Sequence, residues 1–371
     1  MKTIFKKDFY TFIVRHSAFE KISYILKSKH AFSKILNIAL AKLNTKIQYT
    51  GYLPYYPTQI SIEPTTACNY KCPSCCHGTP EGKAHIGKRD KHVDLVKYKK
   101  LIDDIHKKTW YLSLTGCGED FFHPQIFDII DYAADKGMFV TLETNGSVLD
   151  PQKLADSNIS HIHFALDCTT QEAYAIYRIG GNIENVLERM LKFCELNTKK
   201  DNPIKLHIRV LVNKFTEGDF AHAKSLFSKY DFVNIYQDCF TIPPKDFKML
   251  STLPYTTTVE NYDEWKPVIN TEYDTYKLDP VSGLMKNEAI FKEFTGKCPG
   301  VYSGAFVNSE GAMTPCCEAY TFVPEKLYYG NVFEEGFDAV WNGKKARTFR
   351  TNFKKTKGDY ALCKNCPNSR M

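Results

Sequence analysis

TTACNYKCPSCCHG, residues 65–78, places Cys68, Cys72, Cys75 and Cys76 within nine positions. It directly follows TQISIE (58–63), whose alternating apolar residues predict a β-strand. Thiols crowded on a loop at a strand end call for a chemical reason, which compartment and spacing supply.

The chain has 371 residues, 43% of them hydrophobic and 25% charged, so it can bury a sizeable core without covalent staples. Its 13 cysteines are not needed to hold it together. The N-terminal MKTIFKKDFYTFIVRHSAFEK is broken by charge too often to serve as a secretory signal. The longest uncharged candidate for a membrane span, IQYTGYLPYYPTQISI, is short and interrupted by prolines. These features predict a cytoplasmic protein with reduced thiols, in which clustered cysteines serve as metal ligands or catalytic groups rather than disulfides.

Charge is concentrated at one end. Residues 1–50 carry nine Lys and one Arg against one Asp and one Glu, while the whole chain is +7, so the remainder is about neutral. A neutral body argues against nucleic-acid binding. The basic segment is expected to be a solvated helical face, or a surface for anionic lipid or a partner. Helical spacing of Phe32, Ile35, Leu36, Ala39 and Leu43 predicts an amphipathic helix over 30–43, with another over 8–27. Beyond the Gly- and Pro-punctuated YTGYLPYYPT (49–58), strand and helix patterns alternate. Strands are expected at 58–63, 110–114, 138–143, 161–167, 204–212 and 232–237, with helices between them, including 93–108 and 124–137. About six β/α units of this kind predict an α/β fold with a parallel sheet, barrel-like or doubly wound. The expected organisation is a basic helical extension (1–50), a core (51–239), a connecting or lid segment (240–297) and a short-stranded C-terminal domain (298–371).

Cys68, Cys72 and Cys75 are spaced C-x3-C-x2-C. Three thiolates on one tight loop suit three corners of a four-iron cluster and leave one iron free for a substrate or cofactor. Zinc is the alternative, although a closed zinc site needs four ligands and its loops more often pair C-x2-C units. Cys76 is expected to be a bystander.

ACNYKCPSC resembles the signature loop of the radical S-adenosylmethionine enzymes, a likeness extending over about residues 58–238. The resemblance implies a partial (β/α)6 TIM-like barrel. In that family the three cysteines hold a 4Fe–4S cluster whose open iron chelates S-adenosylmethionine. Reductive cleavage of the sulfonium then gives a 5′-deoxyadenosyl radical, which abstracts a hydrogen atom from the substrate. Ser74 stands where the family usually has an aromatic residue. LTGCGED (114–120) resembles the family's glycine–glutamate motif, placing Gly116, Gly118 and Glu119 against the methionine amino group. ETNG brings Thr144 and Asn145 to the next strand end, where a plain Asn-Gly turn is the alternative. FALDC retains Asp167 of a Ser-x-Asp element, with Ala165 lacking the hydroxyl. Arg178 of YRIGG matches an arginine that pairs with the methionine carboxylate.

Cys298, Cys316, Cys363 and Cys366 resemble the ligand set of the SPASM/Twitch extension, in its shorter one-cluster Twitch form. Cys317 competes with Cys316, and a zinc ribbon is the alternative. The resemblance therefore implies two 4Fe–4S clusters, one binding S-adenosylmethionine and one auxiliary, and an electron donor such as flavodoxin or ferredoxin. It leads us to expect dehydrogenation of a carbohydrate-like alcohol, with the auxiliary cluster accepting an electron. The alternatives are peptide modification, epimerisation with Cys168, Cys194 or Cys239 as hydrogen donor, and a non-enzymatic electron carrier or zinc-stabilised scaffold. The basic N-terminal helices add an expectation of peripheral membrane contact.

Overall fold

The computed structural model describes residues 18–47, 51–73, 75, 77–78, 91–239, 265–274, 276–278, 285–287, 298, 300–316 and 327–356. Ser74, Cys76, Cys317, Cys363 and Cys366, residues 8–17 of the first expected helix, and most of the 240–297 segment lie outside these residues.

Six strands run parallel in chain order: β1 (Gln59–Ile62), β2 (Tyr111–Leu114), β3 (Phe139–Thr144), β4 (His161–Ala165), β5 (Lys205–Val212) and β6 (Val233–Cys239). The helices between them start and stop on readable signals. Asp94 caps α3 (Leu95–Ile105), its side chain accepting from the Lys97 N–H at 2.9 Å. Gly137, at φ 81°, ends α4 (Ile126–Asp135). A short helix α5 (Pro151–Asp156) was not anticipated, although Asp150 followed by Pro151 is a plain start signal, a cap before proline at the first helical position. α6 (Gln171–Tyr177), α7 (Ile183–Asn197) and α8 (Phe220–Phe227) complete the alternation.

The two faces of the sheet differ. Ile60, Ile62, Leu112, Leu114, Val140, Leu142, Ile162, Phe164, Leu206, Ile208 and Val210 are all buried in the main core. The intervening positions carry mostly polar side chains to the other face, because side chains alternate along a strand. Their register makes layers: Ser61, Ser113, Thr141 and His161 are successive partners, then Glu143, His163, His207 and Asn234, then Ala165, Arg209 and Tyr236. Rings of His163 and His207 stack at 4.6 Å, and His161 Nδ1 lies 3.1 Å from His207 Nε2. This polar face lines the inside of the partial barrel.

The sheet does not stop at β1. After α9 (Gly300–Ser303), β9 (Gly304–Val307) joins β1 in parallel, followed by antiparallel β10 (Ala312–Thr314) and β11 (Gly330–Asn331). The result is one nine-stranded sheet, ordered β11-β10-β9-β1-β2-β3-β4-β5-β6. The pair β7 (Tyr276–Leu278) and β8 (Met285–Asn287) forms a separate ribbon. α10 (Val332–Glu335), α11 (Phe337–Trp341) and α12 (Lys344–Thr356) follow, with Trp341 and Arg350 fully buried, and the Trp341 indole donates to Tyr55 O at 2.8 Å.

The N-terminal helices are α1 (Ala18–Lys27) and α2 (Ala31–Ile47). The helical spacing read over 30–43 is present in α2, and the packing decides which face turns inward. Phe32, Ile35, Leu36, Ala39 and Leu43 point outward, while Lys34, Asn37, Ala41 and Asn44 are buried. Specific polar contacts hold this orientation. Asn37 pairs with both backbone groups of Tyr56, at 2.9 and 2.8 Å. The Lys34 ammonium donates to Gly137 O, Lys29 to Asp135 O at 2.7 Å, and the Tyr24 hydroxyl to Met138 O at 2.7 Å. These bonds satisfy carbonyls at the C-terminal end of α4, where cations are also favoured by the helix dipole.

Candidate active site

The C-terminal ends of the parallel strands converge on the cysteine loop, which leaves β1. The Cys75 N–H donates to Cys72 O at 2.9 Å, and the Gly78 N–H to Cys75 O at 2.8 Å. Gly78 is required by packing, since a Cβ there would lie 2.1 Å from Cys72 O. Neighbouring loops clamp it: the Glu119 N–H, beyond β2, donates to Ala67 O at 2.7 Å, and the Lys71 N–H donates to Ile179 O, beyond α6, at 3.0 Å. Cys72 is buried, and Cys68 and Cys75 are half-buried.

Gly116 and Gly118 follow β2 and allow this close approach. A Cβ on Gly116 would meet Glu63 Cγ at 2.3 Å, and one on Gly118 would meet Thr65 O at 2.3 Å. Glu119 is buried. Its Oε1 accepts from the Thr144 hydroxyl at 2.5 Å and its Oε2 from the Asn145 N–H at 2.7 Å. So the end of β3 is tied directly to the glycine–glutamate turn, and ETNG does more than make an Asn-Gly turn, although Gly146 does take φ 77°. Burial pushes the Glu119 carboxyl up to about 7, against the pull of its hydrogen bonds from Asn145 and Thr144. An adjacent ammonium group would favour its ionised form.

Asp167, after β4, takes φ 65°, a left-handed conformation rare for a residue other than glycine. Its Oδ2 accepts from Arg178 Nε at 2.6 Å and pairs with Arg178 Nη2 at 2.5 Å. The remaining guanidinium arm, Nη1, lies 3.6 Å from Cys72 Sγ. The structure thus joins the cysteine loop, Asp167 and Arg178 in one contact set, and Gly116, Gly118, Glu119, Thr144 and Asn145 in another against the same loop.

Several participants were not anticipated. Glu63, at the end of β1, is fully buried; Oε1 accepts from the Cys117 N–H at 2.9 Å and Oε2 from the Ser309 N–H and hydroxyl at 3.2 Å. It fastens the cysteine loop to the glycine turn and to the C-terminal segment. A carboxylate ending an apolar strand was the available signal. Asn69 Oδ1 accepts from Ser147 Oγ at 3.2 Å, a loop contact with no local sequence signature. Asp120 is buried beside Glu119, Glu143 and Glu63, and desolvation raises its carboxyl well above the usual range. Arg209 projects from β5 toward Glu143, Asp167, Tyr236 and Asp238. Cys117 contributes its backbone N–H, while Cys168 and Cys194 are buried in the core.

The cysteine loop fits an iron–sulfur cluster. Burial raises Cys68 to about 12 and also raises Cys72, so the thiolates that ligation needs require a strong positive partner. Among the described residues no three His, Cys, Asp or Glu side chains gather around a point that a single ion would occupy. A closed zinc site takes four ligands on one ion. A cluster instead takes each thiolate on a separate iron. In the C-terminal segment, Cys298 precedes α9, where backbone N–H groups of Val301 and Gly300 are directed at its sulfur. Cys316 lies two residues beyond β10, half-buried like Cys298.

Comparison with known proteins agrees with this geometry. Residues 62–227 match the model of the radical SAM superfamily, and residues 298–367 match that of the SPASM iron–sulfur cluster-binding domain. The AdoMet-dependent heme synthase of Methanosarcina barkeri is 24% identical over 330 residues, covering 83% of this chain and 88% of that protein. Streptococcus suis SuiB bound to S-adenosylmethionine superposes with a TM-score of 0.58 at 14% identity, over 97% of this chain and 83% of that one. SuiB bound to its precursor peptide SuiA gives 0.57 at 12% identity, over 92% and 75%. The cofactors are therefore S-adenosylmethionine and two iron–sulfur clusters, and Cys68, Cys72 and Cys75 are the residues that would hold the first. When bound, the first cluster supplies the electron that splits S-adenosylmethionine and yields the hydrogen-abstracting radical. Signature loop, strand-end residues and C-terminal cysteine segment together make this chain a member of the radical S-adenosylmethionine superfamily with a C-terminal SPASM/Twitch-type auxiliary iron–sulfur domain.

Proposed function

We propose that the enzyme acts on a peptide substrate, abstracting a hydrogen atom from a residue that reaches the polar interior of the partial barrel. The observation that carries this reading is the similarity in fold to SuiB bound to its precursor peptide SuiA, which extends over most of this chain. The polar interior of the partial barrel offers hydrogen-bonding side chains to a peptide segment that enters it. An auxiliary cluster suits it too, as a one-electron partner for the product radical.

A second reading, dehydrogenation of a carbohydrate-like alcohol, draws support from the interior itself. Ser113, Thr141, Glu143, His163, Arg209 and Tyr236 offer hydrogen bonds to a hydroxylated ligand. In both readings Glu119 and the Asp167–Arg178 pair hold the amino-acid end of S-adenosylmethionine, and reduced flavodoxin or ferredoxin delivers the electron.

One experiment separates them. Extract from cells grown in deuterated medium is divided into peptide and small-molecule fractions and added to the anaerobically reconstituted enzyme. A peptide substrate transfers deuterium to 5′-deoxyadenosine from the peptide fraction, and protease treatment abolishes the transfer. Transfer from the small-molecule fraction, unaffected by protease, would support the alcohol reading.

A further inference from the structure

We infer that the outward faces of α1 and α2 form a docking surface for an anionic lipid bilayer. Ile22 and Leu26 stand one helical turn apart on α1, and both are exposed. On α2, Phe32, Ile35, Leu36 and Leu43 form one line at helical spacing, all exposed, with Phe32 at 79%. A single exposed apolar side chain is ordinary, whereas a whole helix stripe directed at solvent is not.

The orientation of α2 is fixed, not incidental. Its opposite face is held by Asn37 on the Tyr56 backbone and by Lys34 on Gly137 O. Rotating the helix to hide the stripe would break these bonds and expose the carbonyls they satisfy. The polar face is committed to the protein, and the apolar face is left for something else.

Charge selects the partner. Lys27 and Lys42 are exposed on the same two helices, Lys29 lies in the turn between them with its ammonium on Asp135 O, and the sequence preceding α1 adds Lys2, Lys6, Lys7 and Arg15 against Asp8. The excess positive charge of the chain resides in this segment, with the remainder near neutral. An apolar line flanked by lysines matches the boundary between acyl chains and anionic headgroups, where both contributions act together. No helix of the described residues is long and apolar enough to cross a membrane, so the contact is peripheral.

The test is flotation of the full-length reconstituted enzyme with vesicles of phosphatidylcholine alone or with phosphatidylglycerol added. The expected result is binding to the anionic vesicles that weakens several-fold as salt rises from about 0.1 to 0.5 M. The triple variant Phe32→Ser, Leu36→Ser, Leu43→Ser should lose about tenfold or more of that binding. It should cleave S-adenosylmethionine at the wild-type rate, since none of the three residues touches the site. Absence of binding by the wild-type enzyme, or equal binding by the triple variant, would overturn the inference. So would a wild-type dimer in light scattering that the triple variant converts to monomer, which would identify a second copy as the occupant.

Discussion

Arg178 holds Asp167 through two nitrogens, at 2.6 and 2.5 Å, and turns its third toward Cys72 Sγ at 3.6 Å. One side chain therefore couples the end of β4 to the cysteine loop of β1. The pair is almost wholly buried, so neither partner can be removed without leaving the other charged and dry. Arg178→Met should weaken S-adenosylmethionine binding by about ten- to a hundredfold and lower stability by roughly 3 kcal/mol. Asp167→Asn should show a milder form of both effects. Calorimetric titration of the reconstituted enzyme and thermal unfolding check them separately; unchanged affinity in Arg178→Met would remove the residue from the site.

The glycines of LTGCGED face different obstacles. Alanine at 116 meets the Glu63 side chain, whereas alanine at 118 meets the Thr65 carbonyl in the backbone. A side chain can shift and a clamped backbone cannot, so Gly118→Ala should be the more damaging. We expect a loss of about 1–3 kcal/mol, with nearly complete loss of S-adenosylmethionine cleavage. Counting 5′-deoxyadenosine per turnover time for the two variants gives the order.

Glu119 makes the site sensitive to pH. Its carboxyl sits at about 7 in the folded protein, above its ordinary value. Between about pH 4.5 and 7 the folded state then holds more protons than the unfolded chain, so this group's contribution to stability falls as pH rises through that window. A bound ammonium favours the ionised form, so ligand affinity should rise with pH toward 7 and then level off. Titrations in two buffers of different ionisation enthalpy should detect proton release below pH 7 that is lost in Glu119→Gln.

Lys34 has the opposite sign. Burial lowers its ammonium to about 8. Between pH 8 and about 10.5 the unfolded chain holds more protons, so stability rises with pH in that range. Wild type should therefore gain Tm relative to Lys34→Met from pH 8 to 10, and a constant difference would refute the assignment.

The thiols divide into two sets by position. Replacing Cys68, Cys72 and Cys75 together should remove about four of about eight irons per chain and abolish 5′-deoxyadenosine formation. Replacing Cys298 and Cys316 should remove the other four while sparing the first cluster, visible as retained reductive cleavage of S-adenosylmethionine.

Local chemistry made much of this protein legible from sequence. The C-x3-C-x2-C spacing, the glycines after β2 and the apolar alternation of the strands depend only on near neighbours, and the six parallel strands lie close to where the pattern put them. Tertiary structure decided what depends on distant partners. Nothing near Glu63 in the chain shows that it will bind Cys117 and Ser309, 54 and 246 residues away. Nothing in HAFSKILNIALAKL shows which face turns inward, because periodicity defines a stripe but not its direction. The inward face is the one whose Lys34 and Asn37 meet the Gly137 carbonyl beyond α4 and the Tyr56 backbone, partners that lie far away in the sequence.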